Sequence, residues 1–162
     1  MIDIVKLLGY TQYLRHRYLQ TFRELSWDEV VEDRGASFGS IKNIFLHCVE
    51  VLSIFNQILL GNQSITRINV DEYDTIEKVS EYMEKTESNF NSYLAKLTPE
   101  ELSRKVERKR RDGTISIANV EDTLIHVFEE EIHHFGEFIA LLWQMDVTPP
   151  HAGYTQYRQT LE

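Results

Sequence analysis

Residues 119–145, NVEDTLIHVFEEEIHHFGEFIALLWQM, place apolar side chains at Val120, Leu124, Val127, Phe128, Ile132, Phe135, Phe138, Ile139 and Leu142. The recurrence lies close to 3.6 residues, so the stretch reads as one long helix with a buried face. Asn119 is placed to cap its first turn, Glu121 and Asp122 suit the positive end of the dipole, and Pro149 and Pro150 stop it. Into this helix the chain inserts His126, Glu130 and His134, each four residues from the next and therefore on one stripe. A buried ionisable group costs several kcal/mol unless it is paired or bound to a metal, so the stripe calls for a chemical reason.

Working outward, composition sets the frame. The 162 residues suit one domain, 1–162, with a core of ordinary size. With 3 prolines, 7 glycines and 42% hydrophobic residues, most of it legible at helical period, an all-α architecture is expected. The single cysteine, Cys48, cannot support an internal disulfide framework and falls on an apolar stripe, where it reads as a packing residue. No apolar run is long enough for a membrane span, and MIDIVKLLGYTQYL is read as helix rather than signal peptide. A cytoplasmic protein is the expectation. The formal net charge of −9 argues against nucleic acid as a partner, because phosphate binding depends on Lys and Arg.

Upstream of the long helix, three more are expected. The first spans Ile2 to about Leu25, with Arg15, His16 and Arg17 read either as a solvated patch or as an anion-facing group. Ser26 to Ser37 reads as a loop. The second helix begins near Ser37 to Ser40 and ends at Gly61, carrying His47 at the margin of its apolar face and Glu50 one turn on. Asn62 to Tyr73 is a long polar connection, which lets the third helix run parallel to the second. That third helix is read over Thr75 to Leu97 with Asp74 as its cap. Thr98 to Glu101 opens a short turn, and Asp112-Gly113 with the alternating Thr114 to Ile117 predicts a small hairpin. Arg104, Lys105, Arg108, Lys109, Arg110 and Arg111 form a basic island there, serving either to guard the hairpin edge or to attract an anionic substrate. After Met145 the tail shows no helical repeat and is expected to wrap across the bundle.

One metal ion cannot take His126, Glu130 and His134 together, since the outer two stand about 12 Å apart along the axis. An adjacent pair can share an ion, and the third donor must come from another helix. His47 is the inward-facing candidate, giving His47, Glu130 and His134 with coordination positions left for water or substrate. Two other chemistries compete. EEIH has the ExxH spacing of di-iron bundles but no second copy, and Cys48 beside a histidine could in principle be a nucleophile.

With SIKNIFLHCVEV on the second helix and HVFEEEIHHFGEFIALLWQMDVTPP on the last, the chain resembles the DinB/YfiT-like superfamily of metal-binding four-helix bundles. The resemblance covers essentially the whole chain. It implies a four-helix bundle with a long connection between helices two and three, and three histidines on a divalent ion. By position the first ligand is His47 and the third His134, while the middle histidine of the family pattern HxxxHHRGQ is Glu130 here; its Arg and Gln become Phe135 and Glu137, and Gly136 is kept. Glu130 lowers the charge of the site and moves the choice among Zn, Ni, Fe and Mn toward harder ions. The alternative is that metal binding is lost and Glu130 pairs with a protonated histidine. Asn43, Glu50, His126 and Glu137 are the candidates to support the ligands, because a ligating imidazole usually donates its second N–H. The resemblance further implies a transferase for low-molecular-weight thiols such as bacillithiol or mycothiol, or a hydrolase-like use of the same ion, acting on a small molecule as a homodimer. A stress-linked protein with a structural or sensory metal is the non-catalytic reading.

Overall fold

The computed structural model describes residues 3–62, 64–109, 112–151 and 153–161. Ile2, Arg110 and Arg111, which entered the sequence reading, lie outside them. Among the described residues, four long helices build the bundle: α1 (Ile4–Arg23), α3 (Ile41–Leu59), α4 (Ile76–Leu94) and α6 (Val120–Gln144). The short helices α2 (Trp27–Val31), α5 (Pro99–Ser103) and α7 (Tyr154–Gln159) and the hairpin β1 (Lys105–Lys109) and β2 (Ile115–Asn119) complete it. The fold is the expected all-α bundle with a long α3–α4 connection, which includes a 3-10 turn at Val70–Glu72, and a small hairpin before α6.

Two apolar clusters fix how the helices run. One joins the second halves of α1 and α6 (Tyr18, Phe22, Phe138, Leu142) to the first halves of α3 and α4 (Ile44, Phe45, Val79, Met83). The other joins the opposite halves, with Leu8 and Leu124 against Leu52, Phe55, Phe90 and Leu94. Therefore α3 and α4 run parallel to each other and antiparallel to α1 and α6. The parallel pair requires the long connection, as the sequence suggested.

Between the two clusters lies a charged layer that the sequence reading missed. Arg15, one of the two alternatives for which was a solvated patch, is only 2% exposed. Its Nε donates to Glu87 Oε1 on α4 at 2.8 Å, and its Nη1 donates to Glu131 on α6. His16 Nε2 and Gln12 Nε2 meet the other Glu87 oxygen at 2.8 and 3.2 Å. Burial would raise the Glu87 pKa, but the His16 and Arg15 contacts outweigh it and hold the carboxyl below its ordinary range.

Several boundaries differ from expectation for local reasons. Ser26 to Ser37 is not all loop: α2 forms because Ser26 Oγ accepts the Glu29 N–H while the Glu29 carboxylate accepts the Ser26 N–H. This reciprocal cap satisfies two otherwise unpaired backbone donors. The first helix starts at Ile4, where Asp3 accepts the Val5 and Lys6 N–H groups, and stops at Arg23. Thr75 rather than Asp74 caps α4, accepting the Lys78 N–H, and Asp74 pairs with the Lys78 ammonium. Asn119 holds the cap position of α6 without a side-chain cap bond, since the strand delivers it there with the Val120 N–H on the Arg104 carbonyl. Arg104 itself is no loose surface charge: its guanidinium donates to Glu101 and to the Leu59 carbonyl at the end of α3.

The tail crosses α1, but it does so as a helix. Tyr157 of α7 sits against Tyr10 and Tyr13, with ring centroids 5.7 and 5.4 Å apart. It fits because Gly9 has no side chain: a Cβ there would stand 2.6 Å from the Tyr157 hydroxyl oxygen. Gly9→Ala is therefore expected to raise the helical propensity of α1 by roughly 1 kcal/mol while displacing α7. Limited proteolysis should cut the 146–153 stretch several-fold faster in the variant, and unchanged cleavage would show that the contact does not hold the tail.

Candidate metal centre

The centre is built where α3 and α6 pass each other at mid-height. His47 projects from α3, and Glu130 and His134 from α6 one turn apart. One donor atom from each lies within 4.8 Å of the other two. His47 Nε2 stands 3.9 Å from Glu130 Oε2, and His134 Nε2 stands 4.0 Å from the same oxygen. Both distances exceed hydrogen-bond reach. Donors about 2.1 Å from one ion stand roughly 3–4 Å apart, so a common ion would draw the three slightly closer together. Two imidazoles and a carboxylate are a donor set that suits a divalent transition ion.

Neighbouring side chains aim these donors. His134 Nδ1 meets Glu137 Oε2 at 3.0 Å, which leaves Nε2 as the nitrogen facing Glu130. Glu137 is held in turn by the Ser37 N–H and hydroxyl, both at 2.8 Å. Burial works against the Glu137 charge, but the Ser37 donors and the His134 ring outweigh it and keep the carboxyl below the usual range. Phe38 stacks on the His47 ring at 4.0 Å and meets His134 edge-on at 5.6 Å. The loop that carries Ser37 and Phe38 is closed by the Gly39 N–H on the Ala36 carbonyl, with Gly39 at φ +80°, a conformation that favours glycine.

Ser37 and Phe38 were not foreseen. The signal for them was the pair Gly35 and Gly39 around Ala-Ser-Phe, which marks a tight turn directly before the helix that carries His47.

The other candidates divide. His126 Nε2 stands 3.7 Å from Glu130 Oε1, on the side of the carboxylate away from the His47–His134 pair, and its ring lies edge-on to Phe55. Glu50 does not turn to His47: Oε1 accepts the Ile68 N–H at 3.1 Å and Oε2 stands 3.5 Å from Arg67, so it fastens the α3–α4 connection. Asn43 contributes its N–H to the Ser40 cap and lines a small cavity with His47, Phe38 and Glu50. His133 is exposed.

The competing chemistries lose their partners. A di-iron site needs carboxylates from further helices, but the buried carboxylates Glu87 of α4 and Glu131 of α6 are both committed to Arg15. Cys48 is buried, and burial followed by the nearby Glu131 pushes its thiol pKa well up, so it packs rather than reacts. No described helix is long and apolar enough to cross a membrane.

A sequence model described as the DinB family matches residues 1–161. No curated protein matches the chain.

Proposed function

The chain belongs to the DinB family, and from that premise we propose that it is a divalent-metal-dependent enzyme acting on a small molecule at the His47, Glu130 and His134 centre. The observation that carries this reading is the convergence of His47, Glu130 and His134, with one donor atom of each within 4.8 Å of the other two. Three protein donors leave further coordination positions for an incoming ligand.

When bound, the ion would supply the Lewis acidity that favours the deprotonated form of a thiol near neutral pH. The chain supplies the rest. Glu137 fixes the orientation of His134, and Phe38 covers the two imidazoles on one side. His126 lies beside a cavity that opens at His47 and Glu130, where it can exchange a proton with a bound molecule. A thiol sulfur attacking an electrophilic carbon would form the S–C bond while the leaving group departs with its electron pair and the thiol proton passes to the solvent. A cavity of about 420 Å³ beside these residues, large enough for a small molecule, supports the catalytic reading.

Elemental analysis of the purified protein, followed by assay with bacillithiol, mycothiol and glutathione against an alkylating electrophile, tests the proposal. Thiol-dependent turnover is expected in metal-loaded protein, with loss on chelation and recovery on adding the ion back. Bound metal with no turnover under any thiol would overturn the thiol-transfer reading, and no hydrolysis of model esters or amides either would favour the non-catalytic one.

A further inference from the structure

The cavity beside the centre has a composition that the metal alone does not explain. Its volume is about 420 Å³, enough for a small organic molecule. Val51, Ile54 and Phe55 of α3 form an apolar wall, with His47 and Glu130 at one end. Two arginines from separate elements reach the same space: Arg67 from the α3–α4 connection and Arg108 from β1. Arg108 lies over the Phe55 ring at 4.9 Å, a cation–π contact that positions the guanidinium along the wall. A second cavity of about 350 Å³ shares Phe55, Arg108 and His126 and continues along the apolar residues Ile58, Val106 and Ala118.

The charge placement is unusual for this chain. Its formal net charge is −9, and an anion approaching most of its surface meets repulsion. Among the described residues lining the cavity, the two arginines are accompanied by Asp112 and Glu130, while Glu50 stands 3.5 Å from Arg67. The planar donor fork of arginine is the group that recognises a carboxylate or phosphate.

We propose that this cavity binds a small organic anion, a carboxylate or phosphate monoester on an aromatic or alkyl body. Arg67 and Arg108 receive the charged end, and Val51, Ile54 and Phe55 receive the body. The assignment rests on the proposed function only in taking this cavity as the substrate site.

Calorimetric titration with phenyl phosphate, phenylacetate and the neutral phenylacetamide tests it, using wild type and the Arg67→Met/Arg108→Met variant, each metal-loaded and chelator-treated. At least one of the two anions is expected to bind wild type, and to bind the methionine variant at least tenfold more weakly; the anion that does so identifies the headgroup. Arg67→Lys/Arg108→Lys should retain more of the affinity, and phenylacetamide should bind both proteins weakly. Should the double variant unfold, each single variant carries the same test with a smaller loss. Phenylacetamide binding as tightly as the anions, no anion binding to wild type, or anion affinity indifferent to the arginines would each overturn the proposal. Anion binding that needs the ion and ignores the arginines overturns it while leaving the metal reading intact. Arginine-dependent binding in a protein that takes up no metal supports the cavity and sinks the metal reading instead.

Discussion

Arg15→Ala is expected to destabilise the folded protein by about 3–5 kcal/mol, a large part of the roughly 5–15 kcal/mol that holds a typical domain together. The reason is the position of the guanidinium between Glu87 and Glu131, which are 4% and 0% exposed. Removing it leaves Glu131 buried with no countercharge among the described contacts and leaves Glu87 with only His16 and Gln12, so most of the desolvation penalty is unrelieved. Burial disfavours the Arg15 charge, yet Glu131 and Glu87 outweigh it and raise its pKa, so the guanidinium stays charged at every accessible pH. The intact network is a different matter, because replacing all members of a buried ion cluster by packed apolar groups is often neutral or stabilising. Urea unfolding should thus show a severe loss in Arg15→Ala and a substantial recovery in Arg15→Met/Glu87→Leu/Glu131→Leu. A single-variant loss below 1 kcal/mol would show that water reaches the layer and the ions do not tie the helices.

The network also bears on the site. Glu131 turns inward to Arg15 while its neighbour Glu130 turns toward His47, because successive residues point about 100° apart around a helix. Anchoring Glu131 therefore fixes the rotation of α6 that presents Glu130 and His134.

The second large effect is on metal affinity. Loss of an outer partner to a ligating imidazole typically costs about 10–100-fold in affinity, and that is the expectation for Glu137→Gln. His134→Ala removes a donor outright and is expected to cost more, at least about 100-fold on the same scale. His133 cannot substitute for it, being exposed on a different face of α6. Competition titration against a chromophoric chelator gives both numbers. Equal losses in the two variants would mean that Glu137 is itself a ligand, and no loss in His134→Ala would remove that residue from the centre.

What the sequence disclosed tracks the range of the interactions involved. The stripe on α6 was legible because a helix face is a local pattern, and the His47 partnership followed from needing a donor on a second helix. The solvated-patch reading of Arg15 fails because its partners lie 72 and 116 residues away, and nothing near it in the chain separates a buried arginine from a solvated one. Ile139, expected inward, is 44% exposed, since the helix turns the neighbouring Leu141 and Leu142 to the core instead. Helix α2 was within reach, as Ser26 and Glu29 carry the spacing of a reciprocal cap. Helix α7 was not, because six residues cannot sustain themselves and theirs depend on a tyrosine cluster with α1.

Anomalous diffraction from crystals grown with a transition ion puts the account to its most direct test. A single strong peak should appear about 2.0–2.2 Å from His47 Nε2, Glu130 Oε2 and His134 Nε2 together. A peak bound by other side chains, with these three untouched in crystals saturated with the ion, would contradict it.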